Sequence, residues 1–237
     1  MYYLSLLLVF LLSQIALASN QIVLIGAPGA GKGTLAAQLK EALNIPHISS
    51  GDIVRAEIFA GTEFGKKVVE YNNKGQLLPD TPEFMGMLFE ALKNRLMKPD
   101  CDQGFILDGI PRTEQQAHQL EEVLKKIGKA LDSAILIDVS NQTLLDRLAG
   151  RVICKTCNLS YHMLFQPPKH EGKCDHCEKC LVKRSDDCLE VVLKRLDIYE
   201  QEAASIIDFY RKNGLLRAID GEGSADDVFQ KVMTELN

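Results

Sequence analysis

Nine residues constrain this chain more than any others: Gly26-Ala27-Pro28-Gly29-Ala30-Gly31-Lys32-Gly33-Thr34. They follow the apolar run Ile22-Val23-Leu24-Ile25, which is short, largely β-branched and stopped by glycine, and so reads as a buried strand over 21–25. From Thr34 to Leu43 the apolar period changes to that of a helix, with Leu35, Leu39 and Leu43 on one stripe. A strand is therefore joined to a helix by a turn almost without side chains. Such a turn lets backbone N–H groups close around an anion, and the helix points its positive end at the same spot. Lys32 adds a full charge suited to the β- and γ-phosphates of a nucleoside triphosphate. Gly29, Ala30, Gly31, Lys32, Gly33 and Thr34 are the candidate triphosphate contacts. The common form of this motif has its hydroxyl directly after the lysine; here Gly33 intervenes and the hydroxyl falls at Thr34.

The rest of the chain repeats the alternation. Further buried strands are expected at 104–107, 134–139 and 215–219. Amphipathic helices are expected at 81–97, 113–127, 141–149 and 188–212. Strands alternating with helices predict an α/β fold, a parallel sheet with helices on both faces. Two segments depart from the rhythm: 49–80 reads as a small helical insertion, and 152–183 lacks a clear period. The chain of 237 residues is 46% hydrophobic, enough for one sizeable core, and no linker marks a second independent domain.

Segment 152–183 holds Cys154-x-x-Cys157 and Cys174-x-x-Cys177, sixteen residues apart. That is the spacing of a four-thiolate zinc site. Four thiolates close the coordination shell, so the metal is expected to be structural. A piece of about thirty residues cannot bury enough apolar surface to hold its own shape, and a metal clip replaces the missing core. Two disulfides are the alternative. Cys180 could compete as a ligand, and His162 and His176 are alternative nitrogen ligands. Cys101 and Cys188 read as ordinary core or helix residues. Seven cysteines, an odd number, suit a reducing compartment better than a disulfide framework.

Other motifs appear in order: Ser49-Ser50-Gly51-Asp52 with Arg55; Asp108-Gly109-Ile110-Pro111-Arg112-Thr113; Asp146-Arg147 with Arg151; and Arg184-x-Asp186-Asp187 with Arg195. With the glycine-rich turn they resemble the adenylate kinases, in the long form with a four-cysteine zinc-binding lid. The resemblance runs from residue 21 to about 220. Ser50 stands where many members have Thr, and Ile110 where Phe is usual. It implies the nucleoside monophosphate kinase fold: a core of 20–48, 81–150 and 184–237, an AMP-binding insertion at 49–80 and a lid at 151–183. It implies the reaction ATP + AMP ⇌ 2 ADP with Mg²⁺. Arg55 and Arg112 would hold the AMP phosphate, with Gly109 beside them. Gln116 would bond the acceptor adenine, in a pocket lined by Ser50 and Gln76-Leu77-Leu78. Arg147 would lie on the ATP side. Arg151, Arg184 and Arg195 would close over the transferring group, the last two also reaching AMP. Asp108 would hold water around Mg²⁺.

The chemistry agrees with that residue set. Phosphoryl transfer between two anions needs positioning and charge neutralisation. The AMP phosphate is already ionised, so no His or Asp base is expected beside the glycine-rich turn. Arginine's planar fork grips two phosphate oxygens at once. Arg147 and Arg151, four apart, would share a face if both lie on one helix. Kinases for UMP, CMP or another monophosphate remain the alternative reading within this class. A zinc-ribbon P-loop ATPase acting on nucleic acid is the alternative outside it. Against the latter stand the net charge of -5, the absence of Trp and the lack of interleaved basic and aromatic residues. No nucleic-acid partner is expected, and nothing demands more than a monomer.

Residues 1–18 contain no charged side chain and end in Ala16-Leu17-Ala18, a signal-peptidase-like pattern without a basic n-region. Export, a retained anchor with membrane contact, or a start codon placed too early would each account for this leader, taken as 1–19. A chain built for nucleoside triphosphate is expected in the cytoplasm, with export as the alternative.

Overall fold

The computed structural model describes residues 20–74, 76, 78–79, 81–157, 159–184 and 187–236. The leader, Leu77 and Asp186 lie outside the described residues. The elements are β1 (Asn20–Ile25), α1 (Lys32–Leu43), β2 (His47–Ser49), α2 (Ser50–Ala60), α3 (Glu63–Asn73) and α4 (Pro82–Leu96). They continue with β3 (Gly104–Asp108), α5 (Glu114–Lys126), β4 (Ser133–Asp138), α6 (Asn141–Ala149), β5 (Arg151–Ile153) and β6 (Ser160–His162). The chain closes with α7 (Leu189–Lys212), β7 (Leu216–Asp220) and α8 (Ala225–Leu236).

Five strands form one parallel sheet in the order β2-β3-β1-β4-β7. The strand before the glycine-rich turn is the central one, which explains its unbroken apolar run: both of its faces are covered. Val23 and Ile25 face a core filled by Leu92 of α4, Leu120 of α5 and Phe209 of α7. Ile22 and Leu24 face the other core, with Leu35 and Leu39 of α1 and Val232 of α8. The period-two alternation of β1 thus separates two helical layers.

The helix ends are written locally. Ser49 Oγ accepts the Asp52 N–H at the start of α2, Thr113 Oγ1 accepts the Gln116 N–H at α5, and Ser140 Oγ accepts the Thr143 N–H at α6. Each side chain satisfies one of the unpaired first-turn donors. Pro82 opens α4, where its missing N–H costs nothing.

Three elements go beyond the sequence expectation. Edge strand β2 has only three residues, too few to show a period. Helix α8 follows β7 and packs on α1. The lid contains the antiparallel pair β5–β6. One expectation is corrected. Arg147 lies on α6, but that helix ends at Ala149, so Arg151 sits on β5 and the two do not share a helix face. Cys101 is a core residue and Cys188 stands at the N-cap of α7, as expected.

Candidate active site

The carboxyl ends of the parallel strands open into a cleft of about 1280 Å³, where open α/β sheets bind their ligands. A single small-molecule pocket is roughly 300–1,000 Å³, so there is room for more than one ligand. The glycine-rich turn forms its floor, with Gly29, Ala30, Gly31, Lys32, Gly33 and Thr34 all in its lining. The turn needs its glycines: Gly29 has φ +90°, and a Cβ there would lie 2.9 Å from Leu148 Cγ. Lys32 Nζ folds back to donate to Gly26 O (2.7 Å) and Ala27 O (2.9 Å). Burial pulls its pKa down to about 8. Asp108 opposes that shift, while Arg112, Arg195 and Arg151 add to it. So much neighbouring positive charge, held in low dielectric, is a standing attraction for polyanions.

The arginines come from four separate stretches. Arg55 on α2 pairs with Asp52 one turn earlier. Arg112 Nε donates to Gly109 O at 2.7 Å. Arg151 and Arg195 share one counter-ion, Asp187, whose side chain is 1% exposed. Arg151 meets it with both Nε (2.7 Å) and Nη2, and Arg195 Nη1 lies 3.5 Å away. Arg184 lines the same cleft, as do Gln76, Asp108 and Gly109. Arg147 is placed differently: it donates to Ala30 O (3.2 Å), Gly221 O (3.0 Å) and Gly223 O (3.2 Å). It therefore ties the glycine-rich turn to the β7–α8 loop.

Ser50, Leu78 and Gln116 are not in the cleft lining. Ser50 Oγ donates to Gly109 O at 2.6 Å. Leu78 packs on the core. Gln116 is buried, and its Oε1 accepts the Arg112 N–H at 2.9 Å.

The sequence puts Asp108 at the ligand end of a strand without giving it a partner, and the fold sets His47 beside it. The parallel pairing of β2 with β3 sets Ser49 opposite Asp108. His47 Nε2 then donates to Asp108 Oδ2 at 3.3 Å. Burial pushes the Asp108 carboxyl up, but this hydrogen bond and Lys32 outweigh it and hold the group below the ordinary carboxylate range. Asp108 is ionised at neutral pH. No spacing in the chain joins residues 47 and 108, so only the sheet register could have revealed the pair.

Beyond β5 the four sulfurs of Cys154, Cys157, Cys174 and Cys177 lie within 4.8 Å of one another. Thiolates around one Zn²⁺ at about 2.3 Å would stand about 3.8 Å apart, so the donors fit that ion. All seven cysteines are free thiols. Neither histidine belongs to the cluster. His162 instead accepts the N–H groups of Leu164 and Phe165 at Nδ1 and meets Asp146 O through Nε2. Cys180 is exposed and outside the cluster. The lid's hydrophobic cluster is only Cys154, Tyr161 and Cys174, with partly buried Val152, Cys157, Cys177 and Leu181 against them, so apolar packing alone holds little of it.

A family model described as adenylate kinase matches residues 24–215. The chain is 47% identical over 208 residues to the adenylate kinase of Methanocella arvoryzae, covering 88% of this chain and 94% of that protein. It is 45% identical to that of Clostridium botulinum strain Loch Maree, covering 90% and 96%. With that of Caldicellulosiruptor saccharolyticus it shares 44%, covering 91% and 98%.

Proposed function

The chain belongs to the adenylate kinase family, and on that premise we propose that it moves the γ-phosphoryl group of ATP to AMP, giving two ADP. One observation carries this reading: Lys32, Arg55, Arg112, Arg151, Arg184 and Arg195 line one cleft in a protein of net charge -5. Such convergence is what two polyanions in contact require.

We assign the roles from this geometry and the family resemblance together. Backbone N–H groups of 29–34 and Lys32 hold the ATP phosphates, and Lys32 exchanges its two carbonyl acceptors for phosphate oxygens. Arg147 braces the ATP side by fixing the turn against 221–223. Arg55 and Arg112 hold the AMP phosphate. Ser50 fixes the Gly109 carbonyl, which Arg112 also uses, and so sets the path of that segment. Gln116 is assigned to the acceptor adenine through its amide NH₂, with Gln76 in the cleft lining and Leu78 packed on the core. The insertion 49–80 and the lid 151–183 close over the pair, bring Arg151 in beside Arg184 and Arg195 of the core, and exclude water. Asp108 is ionised and, with the Thr34 hydroxyl, would hold Mg²⁺ and its water. That ion neutralises charge on the transferring phosphates. The AMP oxygen attacks without a base, since it is already ionised. Four-thiolate Zn²⁺ holds the lid as one unit. The free thiols and the nucleotide chemistry suit a reducing, nucleotide-rich compartment such as the cytoplasm. No helix among the described residues is long and apolar enough to cross a membrane.

A coupled assay with Mg·ATP and AMP, CMP, UMP or GMP as acceptor tests the reading. AMP should give the highest kcat/KM; a better pyrimidine acceptor would overturn the assignment of Gln116 and the substrate.

A further inference from the structure

The zinc spacing names four cysteines and passes over Tyr161, which lies in neither pair. The phenol oxygen of Tyr161 sits 3.5 Å from Cys174 Sγ, and the Asp175 N–H donates to that same oxygen at 3.0 Å. A metal-bound thiolate has no proton to give, so the phenol O–H is the donor and the sulfur the acceptor. The ring is 8% exposed and packs in the lid's small core with Cys154 and Cys174. The next residue points the other way. His162 Nδ1 accepts two backbone N–H groups (3.1 and 3.0 Å), so its proton is on Nε2, which donates to Asp146 O of α6 at 3.1 Å. Gly150 makes room for this ring: a Cβ there would stand 2.4 Å from His162 Nε2. Strand β6 therefore touches the sulfur site with one side chain and the kinase core with its neighbour.

We infer that Tyr161 is a positioning residue of the metal site: its O–H···S bond strengthens the lid's hold on zinc. The inference rests on the zinc reading above. Four thiolates give Zn²⁺ a net charge of -2, and donors around the sulfurs disperse it. Partners of this kind alter metal affinity about 10–100-fold when removed. Cys154 already has a backbone donor, the Cys157 N–H at 3.4 Å. Tyr161 supplies Cys174 with a hydroxyl donor from a strand outside the two cysteine loops.

Tyr161→Phe keeps the ring and removes only the hydroxyl. In the full chain, competition with a chromophoric chelator should show zinc held about 10-fold or more weakly than in wild type. The cobalt(II)-loaded variant should show its sulfur-to-metal charge-transfer band at lower energy, because the sulfur has lost a hydrogen bond. That band is read in folded, loaded protein, so a general loss of stability does not imitate the shift. Affinity within about twofold of wild type, against the 10–100-fold range, together with an unmoved band, overturns the inference while leaving zinc in place. Wild-type protein that binds no zinc or cobalt at all overturns the zinc reading and the inference with it.

Discussion

Arg151, Arg195 and Asp187 form a buried charge group in which two cations share one carboxylate. Both arginines line the cleft. Arg195→Ala leaves Asp187 with its two-point partner Arg151, so the fold should tolerate the change. The reaction should not: kcat should fall on the order of 10³-fold with both nucleotides saturating, as for other arginines on a transferring phosphoryl. That equals about 4 kcal/mol of transition-state stabilisation. Lys32 gives a second prediction at this scale. Its folded pKa, about 8, lies below its ordinary 10.5, so between those values the unfolded chain holds the extra proton. Stability should therefore rise with pH from about 8 to 10.5, by about 3 kcal/mol at most. Chemical unfolding across that range should show the rise in wild type relative to Lys32→Met, and parallel curves would remove the buried charge from the account.

Among the elements, legibility depended on locality. The glycine-rich turn and the cysteine pairs encode their geometry within a few residues, so both could be read from the chain. The apolar runs of β1, β3 and β4 were equally clear, because burial on both faces leaves no polar interruption. Strand β2 has three residues and no period, and its partner strand lies 59 positions further on, so the His47–Asp108 pair was invisible. Arg147 and Arg151 looked like helix neighbours because four-residue spacing carries no notice that α6 stops at Ala149. Two predictions belong to these elements. Gly29→Ala places a methyl 2.9 Å from Leu148 Cγ and 3.0 Å from Leu144 O at φ +90°. It should cost about 1–3 kcal/mol and weaken ATP binding, read by thermal melting with and without nucleotide. Chelating the lid metal should lower the melting temperature and speed hydrogen exchange across 151–183, while protection in the central sheet persists. Unchanged exchange in the lid would mean that the four cysteines do not hold a metal.

At the scale of the molecule, an acidic chain gathers its cations from α1, α2, the β3–α5 turn, β5 and α7 onto one concave face. The sheet order makes this possible, because β1 and β3 are adjacent and both end at the cleft. Of these, Arg55 belongs to the insertion and Arg151 to the lid, and the proposed closure of both would exclude the water that competes for the phosphoryl group. The most direct test is a crystal structure with Mg²⁺ and two adenosines joined through five phosphates. Lys32, Arg55, Arg112, Arg151, Arg184 and Arg195 should each place a nitrogen about 3 Å from a phosphate oxygen. Guanidinium groups turned outward into solvent around that bound ligand would contradict the account.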